Sequence, residues 1–241
     1  MGVGPGWALA VGLLGGLLGP VLRARIFHHT VPAGQDWRRD CPQCSRTLVL
    51  GLMPAARPSG QCPACGNRIG PAPFTVEAVT AVLFAAFALR VADPWVLAAS
   101  CLLAAIGVAL WYVDVAVHRL PDQLTYTAFA GVLVLLLASG DPARVGWAAL
   151  NGLGLAAFYL LLILIYPTGM GLGDAKLALS LGTALGWYGW VVTVLGAAAG
   201  FLLAGLFAGV ALALGRVSRK STIPHGPFML LGTLVMILLV A

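Results

Sequence analysis

The chain reads as an all-α, polytopic helical membrane protein of about eight transmembrane helices with one long polar loop. Three observations predict this class. Hydrophobic residues fill 60% of the 241 positions and charged ones only 9%, against about 25% in an ordinary soluble domain, so polar side chains are too few to cover a surface facing water. Mean hydropathy is +0.96, the range of membrane chains rather than soluble ones. The apolar runs are continuous, whereas a transmembrane barrel needs strands of alternating polarity. The same composition excludes a soluble globular enzyme, a disordered tail and a secreted disulfide scaffold. The net charge of +6 belongs to loops between apolar segments, as membrane topology demands, and not to a nucleic-acid surface.

In chain order the apolar segments fall near residues 6–22, 74–91, 95–113, 124–137, 146–166, 176–187, 190–215 and 228–241. The first lacks the basic start and small-residue cleavage site of a removable signal, so it is kept as a helix. The second opens at Thr75-Val76-Glu77. The third closes at Asp114. The fourth opens at Asp122, because Pro121 bars the preceding helix from continuing. The sixth follows the glycine-rich stretch that ends in Asp174. Several segments are nearer 14 residues than 20, which implies short or tilted helices. No repeat of 20–50 residues is expected, and the scattered glycines suit close helix packing.

Lysine and arginine set the orientation. With the N-terminus outside, the inner loops hold Arg23, Arg25, Arg38, Arg39, Arg46, Arg57, Arg68, Arg119, Lys176, Arg216, Arg219 and Lys220, and the outer side holds Arg90 and Arg144. That twelve-to-two bias makes the polar stretches 23–73, 114–123, 167–175 and 216–225 cytoplasmic, with both termini out. Three parts are expected: a first transmembrane helix over 1–22, a cytoplasmic loop over 23–73, and a transmembrane domain over 74–241.

The long loop contains Cys41-Pro42-Gln43-Cys44 and Cys62-Pro63-Ala64-Cys65, seventeen residues apart. This is the spacing of a four-thiolate zinc site. Each pair turns tightly and aims two sulfurs at one point, so Cys41, Cys44, Cys62 and Cys65 close a tetrahedron with no open position. The Zn²⁺ is then structural and supplies much of the folding free energy of a loop poor in large apolar residues. Two disulfides are the competing reading, which a reducing cytosol disfavours. Cys101 lies in an apolar run as a small core residue.

Of the eight acidic residues, Asp36, Asp40, Asp93 and Asp141 fall in loops or at outer helix ends, where solvation explains them. Asp114 and Asp174 fall at the cytoplasmic ends of apolar segments, at one membrane depth. A carboxylate near hydrocarbon is costly and marks a functional site. Two that converge share one proton. One then acts as base on a water while the other, protonated, polarises a substrate carbonyl. Gly171 and Gly173 let a substrate backbone pass close beside Asp174. The run 169–173 lacks the spacing of a nucleotide-binding loop. Glu77 either lines the site or belongs to the packed helix start. Asp122 reads as a helix N-cap. His28, His29, His118 and His225 fall in cytoplasmic loops without metal spacing.

These residues resemble a known family. Asp114 followed by His118-Arg119-Leu120-Pro121-Asp122-Gln123-Leu124-Thr125 is similar to the segment of type IV prepilin peptidases in which an aspartate precedes LPD-x-LT. Gly169-Met170-Gly171-Leu172-Gly173-Asp174-Ala175-Lys176-Leu177 resembles their GMGxGD-x-KL segment, the signature of GxGD-type membrane aspartyl proteases. The double CxxC loop, Thr75-Val76-Glu77 and Ile223-Pro224-His225-Gly226-Pro227-Phe228 resemble their zinc loop, their P-x-VE-x-x-T helix start and their IPFGPF segment. The resemblance implies catalytic aspartates at Asp114 and Asp174 and no catalytic role for Asp122. It also implies a prepilin or pseudopilin substrate whose basic leader is cut after a glycine at the cytosolic face of the bacterial inner (plasma) membrane. Many members also methylate the new N-terminus with S-adenosylmethionine. Here the chain departs from the family's G-S-F-L-N-V-x-x-x-R-L-P stretch over 19–32, and again over 48–54, in the region to which methylation is ascribed. Membrane lipid is the other expected partner, and no nucleic acid.

Two readings from other classes compete. A proton- or cation-coupled transporter would put its carboxylates near mid-membrane in an inverted repeat, which the sequence lacks. A non-catalytic membrane scaffold displaying a zinc module would leave Asp114 and Asp174 unexplained.

Overall fold

The computed structural model describes residues 4–50, 53–54, 58–167, 169–218 and 221–241. Arg57, Arg219 and Lys220 of the charge count lie outside the described residues. The helices are α1 (Pro5–Leu17), α2 (Gly19–His29), α3 (Thr75–Arg90), α4 (Pro94–Val117), α5 (Asp122–Ala138), α6 (Pro142–Ile165), α7 (Leu172–Gly186), α8 (Trp190–Ala213) and α9 (Gly226–Val240). Among the described residues the all-α class is interrupted by a short antiparallel strand pair, β1 (Val49–Leu50) with β2 (Met53–Pro54), and two isolated bridges in the same loop.

α1 and α2 meet at Leu18 and form one apolar rod, Pro5–His29. The joint falls where Gly19-Pro20 weakens the helix, since proline offers no N–H to the preceding turn. Each of the eight apolar segments therefore becomes a helix. That rod, α4, α6 and α8 are long and apolar enough to cross a membrane by length and composition, which makes this a multi-pass membrane protein. α5 and α9 are apolar but only 17 and 15 residues long.

Boundaries differ where side chains compensate. The first helix runs on to His29, past Leu22, because Arg23 finds polar partners within the fold. α4 continues to Val117, so Asp114 sits inside its last turn and not beyond it. α7 begins at Leu172, four positions before the expected start. Asp93 accepts from the Trp95 and Val96 N–H groups at 2.8 and 3.0 Å, and Asp141 from that of Arg144 at 2.9 Å. Both are N-caps, a more specific role than solvation.

The chain divides into two compact units, Met1–Pro121 and Asp122–Ala241. In the first, α1 lies on α3, and α4 packs against α2 and α3. In the second, α6 lies along α7, α8 along α9, and α5 against α7. The α6–α7 seam is tight: a Cβ on Gly182 would stand 2.9 Å from the Gly152 Cα and 3.1 Å from the Asn151 carbonyl. Only glycine allows backbones that close.

Candidate functional site

The four loop cysteines come together. All four sulfurs lie within 4.8 Å of one another, with Cys41 Sγ and Cys65 Sγ 3.7 Å apart and Cys44 Sγ and Cys62 Sγ 3.7 Å apart. A tetrahedral zinc with bonds of about 2.3 Å separates its sulfurs by about 3.8 Å, so this arrangement could hold a metal ion. All are free thiols, and the pairing across the two CxxC turns is that of a tetrahedron. The Cys62 sulfur receives the N–H groups of Cys65 and Ala64, which hold its thiol down at about 6. At Cys44 the Arg46 N–H pulls the same way, but desolvation and the sulfurs of Cys65, Cys41 and Cys62 win and push it up to about 12. Four sulfurs at this spacing could share one cation.

The two turns repeat each other, which the sequence reading missed. Cys41 N–H donates to the Arg46 carbonyl and Ser45 N–H to that of Cys41, both at 2.9 Å. Twenty-one positions on, Cys62 N–H donates to the Asn67 carbonyl at 2.8 Å and Gly66 N–H to that of Cys62 at 3.0 Å. Ser45 and Gly66 both have positive φ, 54° and 72°. Leu48 and Ile69, each seven residues after its first cysteine, pack with Phe27 into a small core around Cys41 and Cys62. That shared phase was the available signal.

Glu77 has both carboxylate oxygens engaged by Arg23: Nε to Oε1 at 2.7 Å and Nη2 to Oε2 at 2.8 Å. Arg23 also donates to the carbonyls of Pro71 and Ala72 at 3.0 and 2.9 Å. The pair is almost out of solvent, with side chains 2% and 14% exposed. Glu77, read from the sequence as either lining the site or belonging to the packed helix start, is tied through Arg23 to α2 and to the end of the cysteine loop. Arg23 was read only as a topological charge.

Asp114 is buried in the last turn of α4, where its carbonyl accepts the His118 N–H at 2.8 Å. His118, at φ 51°, ends the helix in the left-handed region. Nearby in the same unit, Arg119 Nη1 donates to the carbonyls of Val31 and Pro32 at 2.9 and 2.8 Å and stacks on Trp37. This ties the ends of α4 and α2 together. His28 and His29 belong to α2 rather than a loop, and His29 is fully buried.

Asp174 is the third residue of α7 and is 8% exposed. Its Oδ2 accepts the Gly171 N–H at 2.9 Å, and its own N–H donates to the Gly171 carbonyl at 3.0 Å. Gly171 is thus the cap and Asp174 the reciprocal partner inside the helix. The backbone ahead of it is open, with Gly171 and Leu172 exposed and Gly173 half-buried. A carboxylate fixed by one oxygen beside exposed, side-chain-free backbone can meet an extended peptide.

Asp122 opens α5, but its carboxylate goes to Lys176 Nζ at 2.6 Å. Ser180 Oγ donates to the Thr125 carbonyl at 3.1 Å. These two bonds hold the starts of α5 and α7 together. His225, at the head of α9, lies 3.1 Å by Nε2 from the hydroxyl of Tyr159. Burial pushes its imidazole down to about 4, so it is neutral at pH 7.

A model of the type IV leader peptidase family matches residues 101–214, the span that carries both Asp114 and Asp174. The chain is 33% identical to a prepilin leader peptidase/N-methyltransferase of Aeromonas hydrophila, over 80% of this chain and 68% of that protein. It is 29% identical to the protein of that name in Bacillus subtilis, over 82% and 80% of the two chains. It is 34% identical to the one in Burkholderia pseudomallei, over 81% and 65%. No solved structure matches it.

Proposed function

The chain belongs to the type IV leader peptidase family, a protease family, and from that premise we propose that it is a membrane-embedded aspartyl endopeptidase. Its substrate is a type IV prepilin or pseudopilin, cut after glycine at the cytosolic face of the inner membrane. The observation that carries this reading is Asp174: a buried carboxylate, held by one oxygen, three positions after the exposed glycine that caps its helix.

Asp114 and Asp174 share one proton and between them supply the general base and the general acid. The ionised one takes a proton from water, whose oxygen attacks the scissile carbonyl carbon. The protonated one gives its proton to the carbonyl oxygen. As the tetrahedral adduct collapses, the C–N bond breaks, the amine leaves with a proton from the first carboxyl, and one hydroxyl of the adduct returns its proton to the second carboxylate. Gly171 and Gly173 leave room for the substrate backbone. Glu77 contributes through Arg23, by fixing the segment that leads from the cysteine loop into α3. The shorter α3, α5, α7 and α9 also span the membrane, which makes eight spans, and the cytoplasmic side carries the chemistry. The functional parts are a first span, a cytoplasmic loop and a peptidase domain.

Cys41, Cys44, Cys62 and Cys65 hold a structural Zn²⁺, which orders the loop and supplies no catalytic step. The relatives' names also include N-methylation. Methyl transfer would use S-adenosylmethionine, and we assign it no residues here.

The test is purified full-length protein with a synthetic prepilin, with and without S-adenosylmethionine, read by product mass. Cleavage by the parent and loss of cleavage in Asp114→Ala and Asp174→Ala, each still inserted in the membrane, support the reading. Substantial cleavage by either single variant refutes the acid–base pair.

A further inference from the structure

α6 and α7 run antiparallel in a fixed register. A Cβ on Gly186 would meet Ala148 and Asn151, one on Gly182 would meet Gly152 and Leu155, and one on Gly152 would meet Thr183 and the Leu179 carbonyl. On α6 the contact positions 148, 152 and 155 step by four and three residues, the spacing of one helix face. The next position on that face is Tyr159. On α7 the next level below Leu179 is Ala175, beside Asp174. The register therefore brings Tyr159 level with the first turn of α7.

Tyr159 is 1% exposed. Its ring stacks on Phe201 with centroids 5.4 Å apart. The His225 ring lies 4.9 Å from that of Phe201 and reaches the Tyr159 hydroxyl at 3.1 Å.

We infer that Tyr159, oriented by His225, is a positioning residue for Asp174. The inference rests on the proposed catalytic role of that carboxylate. The hydroxyl has one proton. A neutral imidazole carrying its proton on Nε2 donates to Oη, which leaves the O–H dipole to turn toward Asp174. The field of the carboxylate favours this order over the reverse. Tyr159 is too buried to touch substrate, so it acts through Asp174. The other charged groups near the start of α7 are Lys176 and Asp122, which pair with each other and are unchanged in the variants below.

The test uses the full-length protein, comparing Tyr159→Phe, His225→Phe and His225→Gln, with kcat and KM measured against pH on a synthetic prepilin. Loss of the hydroxyl dipole, worth about one pKa unit at Asp174, lowers kcat about tenfold in Tyr159→Phe and leaves KM within about twofold. Without that donor the ionised form of Asp174 is less favoured, so the acid limb of kcat moves up by about one pH unit. His225→Phe keeps the ring packing and moves the limb part of the way. His225→Gln, which keeps an N–H donor, restores most of kcat. Unshifted acid limbs in both Tyr159→Phe and His225→Phe overturn the inference, and so does a His225→Gln protein no better than His225→Phe. Asp174→Asn, run alongside, separates the two claims. An active Asp174→Asn protein removes the catalytic reading itself, whereas an inactive one with a normal Tyr159→Phe removes only the positioning role.

Discussion

Asp174 has two jobs, and two substitutions separate them. Its Oδ2 takes the Gly171 N–H at 2.9 Å, which starts α7, and in the proposed reaction it moves a proton. Alanine removes both. The lost cap costs about 1–2 kcal/mol, since the bond is charge-assisted and the group is buried. Asparagine keeps an acceptor oxygen for the Gly171 N–H, so it loses only the charge at the helix N-terminus, about 0.3–1 kcal/mol. Neither can shuttle a proton, so both should lose cleavage by about 10²–10⁴-fold. The assay pairs prepilin cleavage with denaturation in detergent followed by tryptophan fluorescence. The expected result is two inactive proteins, with the alanine variant clearly the less stable. Equal stability would remove the capping argument. An Asp174→Asn protein cleaving above about a tenth of the parental rate would remove Asp174 from proton transfer.

Cys62→Ser should lose bound zinc by elemental analysis and expose the loop to proteolysis while basal membrane insertion persists; full metal content would refute the site. Gly182→Ala places a methyl 2.9 Å from the Gly152 Cα, and overpacking of this kind costs about 1–3 kcal/mol, visible as a lower denaturation midpoint. The His225 imidazole sits at about 4 against an ordinary 6.5, so the unfolded chain binds its proton first. Stability conferred by keeping it neutral is therefore complete above 6.5 and is lost as pH falls toward 4. Denaturation of His225→Phe should show a shallower loss across that window, and parallel curves would contradict the burial.

The existence and order of the helices were legible because apolar runs this long have one reading. Their ends were less so. The first helix outran its apolar segment because Arg23 is satisfied by Glu77, Pro71 and Ala72, partners that sequence spacing does not reveal. α7 began early because glycine at position 171 caps through its backbone, without the side-chain signal that marks Asp93 and Asp141. The cysteine cluster was visible from spacing alone, since CxxC geometry is local. The repeat of its two turns was obscured because it lies in hydrogen bonds and φ angles more than in identical residues. His225 read as a loop histidine, because only the fold brings Tyr159, sixty-six positions away, against it.

The loop that carries the cysteines is secured at both roots by residues that hold no sulfur. His28 Nδ1 donates to the Arg38 carbonyl at 2.9 Å and receives no help from the knuckle in doing so; at the other root Arg23 grips Pro71 and Ala72. A cation held by the four sulfurs would therefore close a loop whose two roots are also pinned by other bonds. Closure entropy grows only with the logarithm of loop length, and most of it has been met before the ion arrives. Retention of an ion there would thus depend in part on an arginine and a histidine that do not contact it.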